Sequence, residues 1–383
     1  MHTTAGVGAI AREDWDALVG PDNFYNSHRW LRALELVHGG DAVVTATTGD
    51  GVLLGAMPTW PGEAGAPGLF CPSDLFPGLA GAWPDDCLWL GARRSVYNEL
   101  LCVRGPLRER ALAALLHGAQ AVAGSRGAAG LIMPYLAAAD ARDLARAHPR
   151  AMVLLHDADA SMDLPAGGFT EHLARMPQRD RTRRRAELRA FERAGTRVER
   201  LALTGETSRL AADLITQNRA RHGGTADPGW MRRSFAAQRR SGVIDQAVGF
   251  FGVRDGRPVA VTVCYTHHDR LYARYYGFDY RNAEPACEYF VLTYRTPLDF
   301  AAVHDLHRYR LAVSAWDVKV RRGAVFSPLA AVVIAPRHEV CSPRRAAAFN
   351  HEVARQWQDR LAGRPHAVGR EWDDWSAQPP SAC

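Results

Sequence analysis

The chain has 383 residues, of which 47% are hydrophobic and 23% are charged. This balance is typical of globular proteins, excludes a disordered chain and, at this length, favours two domains. No apolar run approaches the roughly 18 residues of a membrane span, and no basic stretch leads into an apolar one as in a secretory signal. The 7 cysteines show no metal-binding spacing, which predicts reduced thiols and a cytoplasmic location.

Arginine carries almost all of the positive charge. Of the 47 basic residues one is lysine, Lys319, which leaves 46 arginines, and the formal net charge is +6. That net charge favours an anionic partner only weakly. A coding bias toward arginine explains most of the skew, but a compact ammonium that is able to lose its proton differs chemically from a guanidinium. Lys319 is therefore a candidate functional residue.

The first half of the chain opens with a predicted hairpin. Residues 42–48 (AVVTATT) and 52–58 (VLLGAMP) flank Asp50-Gly51, a dipeptide typical of two-residue hairpin turns. A helix is predicted over 108–123 and a further strand over 129–136.

The second half repeats this plan. Residues 246–254 and 258–266 flank Asp255-Gly256, and a third strand, 271–278, follows the polar turn of His267, His268, Asp269 and Arg270. A helix over 288–303 and a strand over 308–315 complete the copy. An antiparallel meander, a helix and a strand, used twice about 200 residues apart, predict an α+β fold.

A strongly charged segment separates the two copies. Asp180 is predicted to cap a helix over 181–194 (RTRRRAELRAFERA), which Gly195 ends. Arg181, Arg185, Arg189 and Arg193 recur every fourth residue and so share one face. We predict domains at 1–165 and 201–370, Arg-rich connecting helices at 166–200 and a flexible tail at 371–383.

Several segments, in this order, resemble one known family. EDWDALV (13–19) and NFYNSHRWLRALE (23–35) resemble its opening, where an aromatic-Ser-His turn begins the first long helix. Residues 255–279 resemble its central meander and 287–301 the helix that follows, and WDVKVRRGA (316–324) resembles its Lys-x-x-Arg-Gly signature. The chain thus resembles the Fem-like (FemABX-type) branch of the GNAT acyltransferase superfamily over roughly residues 10–335.

The resemblance implies two tandem GNAT-like domains, each a mixed, mainly antiparallel sheet flanked by helices, with the active cleft in the second. It implies transfer of an aminoacyl group from aminoacyl-tRNA to an amine or hydroxyl of a small metabolite, as in antibiotic pathways, or of a cell-wall precursor. Relatives in the wider superfamily use acyl-CoA, which they bind with an Arg/Gln-x-x-Gly-x-Gly/Ala loop. The match to that loop here is Arg221–Ala226, where a helix precedes it and a Pro-Gly turn follows instead of the required strand and helix.

Three residues are predicted to take part in catalysis. Lys319, matched to the signature lysine, would stabilise the leaving hydroxyl and the oxyanion as charge develops. Asp317, two residues away, would lie on the same side if the segment is extended, where it holds the ammonium or accepts a proton. Tyr276 ends a strand that in GNAT domains borders the cleft, and its hydroxyl could donate a hydrogen bond to the reacting group.

The remaining predicted site residues bind the two substrates. Arg321 and Arg322, together with Arg181, Arg185 and Arg189, are predicted to bind the donor through tRNA phosphates. Alternation along the strand places Tyr272, Arg274 and Tyr276 on one side and Tyr275 on the other, and Tyr272, Arg274 and Tyr275 are assigned to the small-molecule acceptor.

The sequence also leads to expectations about cofactors and partners and to two alternative functions. No metal is expected, since His267-His268-Asp269 is interpreted as a solvated hairpin tip. No tightly bound cofactor and no DNA partner are expected either. Aminoacyl-tRNA would be a co-substrate, with acyl-CoA as the alternative donor. A non-catalytic RNA-binding protein on a GNAT scaffold is the third hypothesis.

Overall fold

The computed structural model describes residues 2–62, 68–79, 83, 86–224, 226–335 and 340–376. The chain forms two compact units. Unit 1 comprises Met1–Ala160 and Val325–Cys383, and unit 2 comprises Ser161–Ala324.

Strands and helices alternate through the first part of unit 1. Its elements are β1 (His2–Ala5), α1 (Arg12–Asp16), α2 (His28–His38), β2 (Ala42–Thr47), β3 (Leu53–Trp60), α3 (Pro72–Leu75), β4 (Cys87–Leu90), β5 (Leu101–Cys102), α4 (Arg108–Ser125), β6 (Gly130–Ala137), α5 (Ala138–Arg146) and β7 (Ala151–Asp163).

Unit 2 begins with helices and continues into a meander. Its elements are α6 (Gly168–Ala174), α7 (Gln178–Arg193), β8 (Arg197–Leu201), α8 (Gly205–Arg221), α9 (Pro228–Ser241), β9 (Ala247–Arg254), β10 (Arg257–His267), β11 (Arg270–Phe278), α10 (Glu288–Phe290), a π-helical segment (Val291–Arg295), α11 (Thr296–Val303), β12 (Arg308–Ala312) and α12 (Trp316–Val320). The chain then returns to unit 1 with β13 (Val325–Ile334), α13 (Pro343–Leu361) and α14 (Asp373–Ser376).

Both predicted hairpins are present. β2 pairs antiparallel with β3 around Gly51, which has a φ of 91°. β9 pairs antiparallel with β10 around Asp255 and Gly256, whose φ values are 50° and 74°. Two successive residues with positive φ match the twist of the flanking strands, and aspartate and glycine adopt that conformation more readily than most residues.

The same strand arrangement occurs in each unit. The sheet of unit 1 runs in the order β1-β2-β3-β4-β6-β13-β7, with β5 on β3, and that of unit 2 in the order β12-β11-β10-β9-β8. β4 lies parallel to β6, and β11 lies parallel to β12, whereas the hairpin neighbours are antiparallel. Both parallel pairs are joined through a helical connection, as parallel strands require. The predicted α+β fold, a mixed and mainly antiparallel sheet with flanking helices in each half, is confirmed.

The two units divide the chain differently from the predicted domains at 1–165 and 201–370. β13 follows unit 2 in the chain but pairs antiparallel with β6, with Val332 opposite Met133. Residues 325–376 therefore complete unit 1, because the apolar strand β13 gains its hydrogen bonds there. The 166–200 segment forms α6, α7 and the start of β8 within unit 2.

The predicted flexible tail, 371–383, is ordered in its first part. Trp372 is fully buried, stacks on Trp357 and donates its indole N–H to the Phe326 carbonyl at 2.9 Å. The start of this polar segment is thus held on unit 1 by a single indole. The polar composition of the segment gave no indication of this contact. Residues 377–383 lie outside the described residues.

Helix α7 starts earlier than predicted. Pro177 is its N-cap, so Asp180 lies in the first turn and does not cap the helix. There its carboxylate still interacts favourably with the helix dipole. The predicted end is confirmed, since Gly195 adopts a φ of 69° directly after the C-cap Ala194.

Replacing Gly277 by alanine is expected to lower the free energy of unfolding by about 1–3 kcal/mol. A Cβ there would lie 2.5 Å from the Leu214 carbonyl carbon and against the Ile215 nitrogen, which are main-chain atoms of α8 unable to rotate away. Gly124→Ala is the control, because a Cβ on that helical glycine meets open space and is expected to be neutral or slightly stabilising. Thermal unfolding measures both, and equal melting temperatures would contradict the close approach of β11 and α8.

Candidate active site

The candidate site begins where the two parallel strands of unit 2 separate. β11 and β12 pair at three positions, the last of which joins Tyr272 and Arg310. Beyond that point β11 continues to Phe278, while β12 ends at Ala312. The carboxyl ends of parallel strands commonly border ligand sites in mixed sheets. The residues after Tyr272 on β11 and after Ala312 on the other strand are therefore the first candidates.

A β-bulge on β11 changes which tyrosines share a face. Val263 lies opposite Tyr275, but the next residue of β10, Cys264, lies opposite Ala273, so Arg274 is the extra residue. Because residues directly opposite share a face, Tyr276 lies on the side of Ala273, and Tyr275 on the side of Tyr272. The predicted alternation, with Tyr272 and Tyr276 on one side, is wrong because the bulge shifts it by one residue.

Tyr276 packs on the helical side of this sheet. Its ring contacts the Tyr289 ring edge-on, with centroids 4.9 Å apart, and the opposite residue, Thr262, bonds Thr293 at 2.9 Å on the same face. Burial raises the pKa of Tyr276 well above its ordinary value, so the phenol stays protonated at neutral pH and is a hydrogen-bond donor. No described residue is hydrogen-bonded to its hydroxyl, which leaves that donor available to a ligand.

The π-helical segment aligns two further tyrosines with Tyr276. Tyr289 and Tyr294 are five residues apart, and their hydroxyl oxygens lie 3.4 Å from each other. Five residues separate side chains onto different faces of an α-helix, whereas π-helical bonding to the fifth preceding residue brings them together. Burial raises the pKa of both phenols. Three protonated tyrosines therefore form one cluster.

Arg322 covers this cluster from the signature segment. Its guanidinium carbon lies 4.2 Å from the Phe290 ring centre and 5.2 Å from that of Tyr294, distances typical of cation–π contacts. The same guanidinium donates two hydrogen bonds to the Glu187 carboxylate of α7, at 2.8 and 3.0 Å. Arg322 was predicted to bind the donor, but the structure buries it in an ion pair with the protein's own carboxylate.

Arg184 completes the ion pair as a buried triad. Its guanidinium lies 3.4 Å from Glu187, and its side chain is only 3% exposed. Burial lowers the pKa of Arg184 to about 10, which leaves it charged at neutral pH. One carboxylate thus balances two buried guanidinium groups and fastens α7 to the signature segment.

Lys319 lies close by, and its ammonium points into the protein. The side chain is buried and donates to the Ala312 carbonyl at 2.8 Å and to the Val313 carbonyl at 2.6 Å. Both acceptors lie at the end of β12. The ammonium therefore contacts the backbone that follows the strand, a contact that no sequence pattern indicated.

Asp317 and Arg321 do not join Lys319. Residues 316–320 form the helix α12, and two residues on a helix are about 200° apart, so Asp317 and Lys319 face different directions. The expected extended segment is wrong at this point. Asp317 lies 3.8 Å from Arg321 in a half-exposed ion pair on the outer side of the helix.

The predicted acceptor-binding residues occupy the other face of the sheet or its interior. Tyr272 is fully buried. Tyr275 packs edge-on against Phe235 of α9, with ring centres 6.0 Å apart, and the Arg274 guanidinium lies 5.3 Å from the Tyr275 ring centre. The structure therefore does not bring these three residues to the cluster of Tyr276.

The arginines of α7 divide into a buried and an exposed set. Arg181 is half-buried and bonds the Gln178 side chain and the Met176 carbonyl. Arg185 and Arg189 are exposed, and no described carboxylate forms an ion pair with either. The outward face, which we call the arginine face, also includes the exposed residues Arg179, Arg183 and Arg193.

The residues matched to the acyl-CoA phosphate loop connect two helices, not a strand and a helix. The predicted loop, 221–226, joins helix α8 to helix α9, and Thr225 lies outside the described residues. Residues 279–287, between β11 and α10, form one of the segments of unit 2 in which a strand leads into a helix. There the buried Glu288 carboxylate accepts the Ala286 N–H at 2.6 Å and pairs with Arg254. At this helix start an amide donor of the kind that binds phosphate is bonded to the protein's own carboxylate.

Sequence reasoning missed Glu187, Glu288, Tyr289 and Tyr294. Arg322 and Arg254, which pair with the two glutamates, lie far from them in the chain, so no local pattern reveals Glu187 and Glu288. The spacing of the two tyrosines within CEYFVLTYR, a run already matched to the family, was the available signal. No three His, Cys, Asp or Glu residues of the described chain cluster as metal ligands would.

The sequence matches a known family over two thirds of the chain. The FemAB-like family, described as peptidoglycan biosynthesis/recognition, matches residues 98–358. The chain belongs to the FemAB-like family. Family and fold together support an acyltransferase. No curated relative matches this FemAB-like chain in sequence.

Solved structures similar to this FemAB-like protein share its fold. FemX is 13% identical with a TM-score of 0.55, over 86% of this chain and 97% of that one. A conserved protein of unknown function from Bacteroides thetaiotaomicron is 13% identical with a TM-score of 0.53, over 85% and 98% of the two chains. The C-terminal domain of a putative lysylphosphatidylglycerol synthetase from Agrobacterium fabrum is 10% identical with a TM-score of 0.50, over 84% and 90%.

None of the helices in the described part of the chain combines the length and the apolar character that a membrane span requires.

Proposed function

We propose that this FemAB-like protein transfers an aminoacyl group from aminoacyl-tRNA to an amine or hydroxyl of a small metabolite or cell-wall precursor. The observation that carries the proposal is the arginine face of α7, which Glu187 fastens to Arg322 of the signature segment. Through this ion pair the arginine face, which would bind the donor, is connected to the tyrosine cluster that Arg322 covers. Fem-type transferases use aminoacyl-tRNA, which further supports this donor.

The arginine face suits a nucleic acid backbone. Arg179 and Arg193 delimit it, and the helix rises about 21 Å between them. Arg185 and Arg189 are one turn apart, about 6 Å along the axis, which is close to the spacing of backbone phosphates. Arg185 and Arg189 have no carboxylate partner among the described residues, so their guanidinium groups are available for charge-assisted hydrogen bonds to phosphate.

The reaction proposed is direct attack without a covalent enzyme intermediate. The nitrogen or oxygen of the acceptor attacks the ester carbonyl carbon, the bond from that carbon to the ribose oxygen breaks, and the acceptor's proton passes to that oxygen. Tyr276 is suited to donate a hydrogen bond to the oxygen on which negative charge develops. Its raised pKa keeps the proton in place.

The donor is tested by supplying purified protein with charged tRNA and, separately, with acyl-CoA, each with candidate amines and hydroxyl compounds. Transfer from charged tRNA alone supports the proposal. Consumption of acyl-CoA would replace it with the alternative donor, and retention of RNA without transfer would indicate a binding protein.

Removing the arginine face is expected to weaken RNA binding in a salt-dependent way. If Arg185→Ala with Arg189→Ala removes two phosphate contacts, the slope of log affinity against log salt becomes shallower by about 2. Arg110→Ala with Arg344→Ala is the matched control, because both are exposed helical arginines of unit 1. Filter binding of tRNA over a salt series measures the slopes. Equal slopes for the two double variants would exclude the arginine face as the RNA contact.

A further inference from the structure

The turn that follows β12 has an unfavourable backbone conformation. Ala312, Ser314 and Ala315 have φ values of 59°, 63° and 48°, and none of them is glycine. L-residues are disfavoured in this left-handed region because Cβ approaches the following carbonyl. Three such residues within four positions require other contacts to hold them there.

The Lys319 ammonium supplies those contacts. It donates to the carbonyls of Ala312 and Val313, at 2.8 and 2.6 Å, and so binds the first two residues of the turn together. Two carbonyl oxygens that converge on one point suit a compact ammonium with three donors, whereas the planar fork of a guanidinium is shaped for acceptors lying side by side. This geometry gives a reason for a lysine in a chain otherwise supplied with arginine.

The turn also fixes the position of the first residues of α12. The N–H groups of Val318 and Lys319 both donate to the Ala315 carbonyl, and the Arg322 N–H donates to the Lys319 carbonyl at 2.9 Å. A shift of Ala315 therefore moves Arg322. Arg322 contacts Tyr294, which is bonded to Tyr289, and Tyr289 packs on Tyr276.

We infer that Lys319 is a positioning residue, which holds the left-handed turn at 312–315 and through it the place of Arg322 over the tyrosine cluster. The inference rests on the proposed function, since the cluster is the site of transfer there. It assigns to Lys319 a role that needs no contact with the substrate and that differs from the catalytic role expected from the sequence.

A double-mutant cycle tests this role. Lys319→Met removes the ammonium, and Ala312→Gly with Ala315→Gly lets the turn adopt positive φ without a Cβ penalty. In the Lys319→Met background we expect a melting temperature lower by about 5 °C and a turnover lower by about 10-fold. The two glycines remove the φ penalty in both backgrounds and are therefore expected to raise both melting temperatures. Only in the Lys319→Met background are they also expected to restore most of the lost turnover, because there the turn no longer depends on the ammonium. Asp305→Gly, at another left-handed residue of unit 2, is the control and is expected to act equally in both backgrounds.

The outcomes separate the possible roles of Lys319. Recovery of stability without recovery of turnover would show that Lys319 acts on the reacting groups and would overturn the inference. An unchanged melting temperature in Lys319→Met would show that the ammonium does not hold the turn. If the wild type uses neither charged tRNA nor acyl-CoA, the proposed function fails, whereas the melting temperatures still decide whether the ammonium holds the turn.

Discussion

Replacing Tyr276 by phenylalanine is expected to slow acyl transfer by about 100-fold, which is the lower end of the contribution of a positioned proton donor. The change removes one oxygen and leaves the edge-on contact with Tyr289, so the fold is expected to persist. The loss should appear in kcat more than in KM, because the hydroxyl interacts with charge that develops in the transition state. Steady-state kinetics with charged tRNA measures both constants.

Tyr275→Phe is the matched control for this variant. It is the neighbouring residue, loses the same oxygen, and lies on the opposite face of the sheet against Phe235. Its kcat is expected to equal that of the wild type. The raised pKa of Tyr276 also predicts no loss of rate from this phenol up to about pH 10. Equal rates for Tyr276→Phe and Tyr275→Phe would remove Tyr276 from the mechanism.

Replacing Glu187 by alanine is expected to lower the free energy of unfolding by about 3–5 kcal/mol. The carboxylate is the shared partner of Arg322 and Arg184, whose side chains are 5% and 3% exposed. Without it, two buried guanidinium groups stay charged and lie close to each other. The cost is that of an uncompensated buried charge, which exceeds the net gain from forming an ion pair. Chemical denaturation of the two proteins measures the difference.

Glu192→Ala provides the comparison for Glu187→Ala. Glu192 lies on the same helix, is exposed, and forms no ion pair with any described residue, so its removal is expected to change stability by less than about 0.5 kcal/mol. Glu187→Gln keeps the shape and one acceptor and is expected to fall between the two alanine variants. If Glu187→Ala were as stable as Glu192→Ala, the triad would make no contribution to the fold.

The fold followed from local signals where these are strong. Asp-Gly between two apolar runs predicted both hairpins, because these residues adopt positive φ readily: Asp255 and Gly256 both do so in the second turn, and Gly51 does so in the first. Gly195 likewise predicted the end of α7. The place of β13 could not be predicted in this way, because an apolar strand shows its own burial but not which of two sheets it joins.

The candidate site was predicted less well, for reasons that are also physical. Tyr276 was predicted from its position at a strand end. The bulge at Arg274 changes which of the neighbouring tyrosines share a face of the sheet, and no sequence pattern indicated that bulge. Arginines were expected to face solvent or phosphate, yet Arg184 and Arg322 are buried by one carboxylate. Lys319 was predicted as a functional residue because it is the single lysine. Its two carbonyl partners could not be predicted, because they depend on the fold of the turn after β12.

The return of β13 to β6 has a consequence for synthesis of the protein. The whole of unit 2 lies between these two strands in the chain. At about 5–20 residues per second, β13 leaves the ribosome on the order of 10–40 s after β6. During that interval the sheet of unit 1 has an open apolar edge, while unit 2 already has all its strands. Unit 2 therefore has its complete sheet first, and the sheet of unit 1 depends on β13, which is made after unit 2.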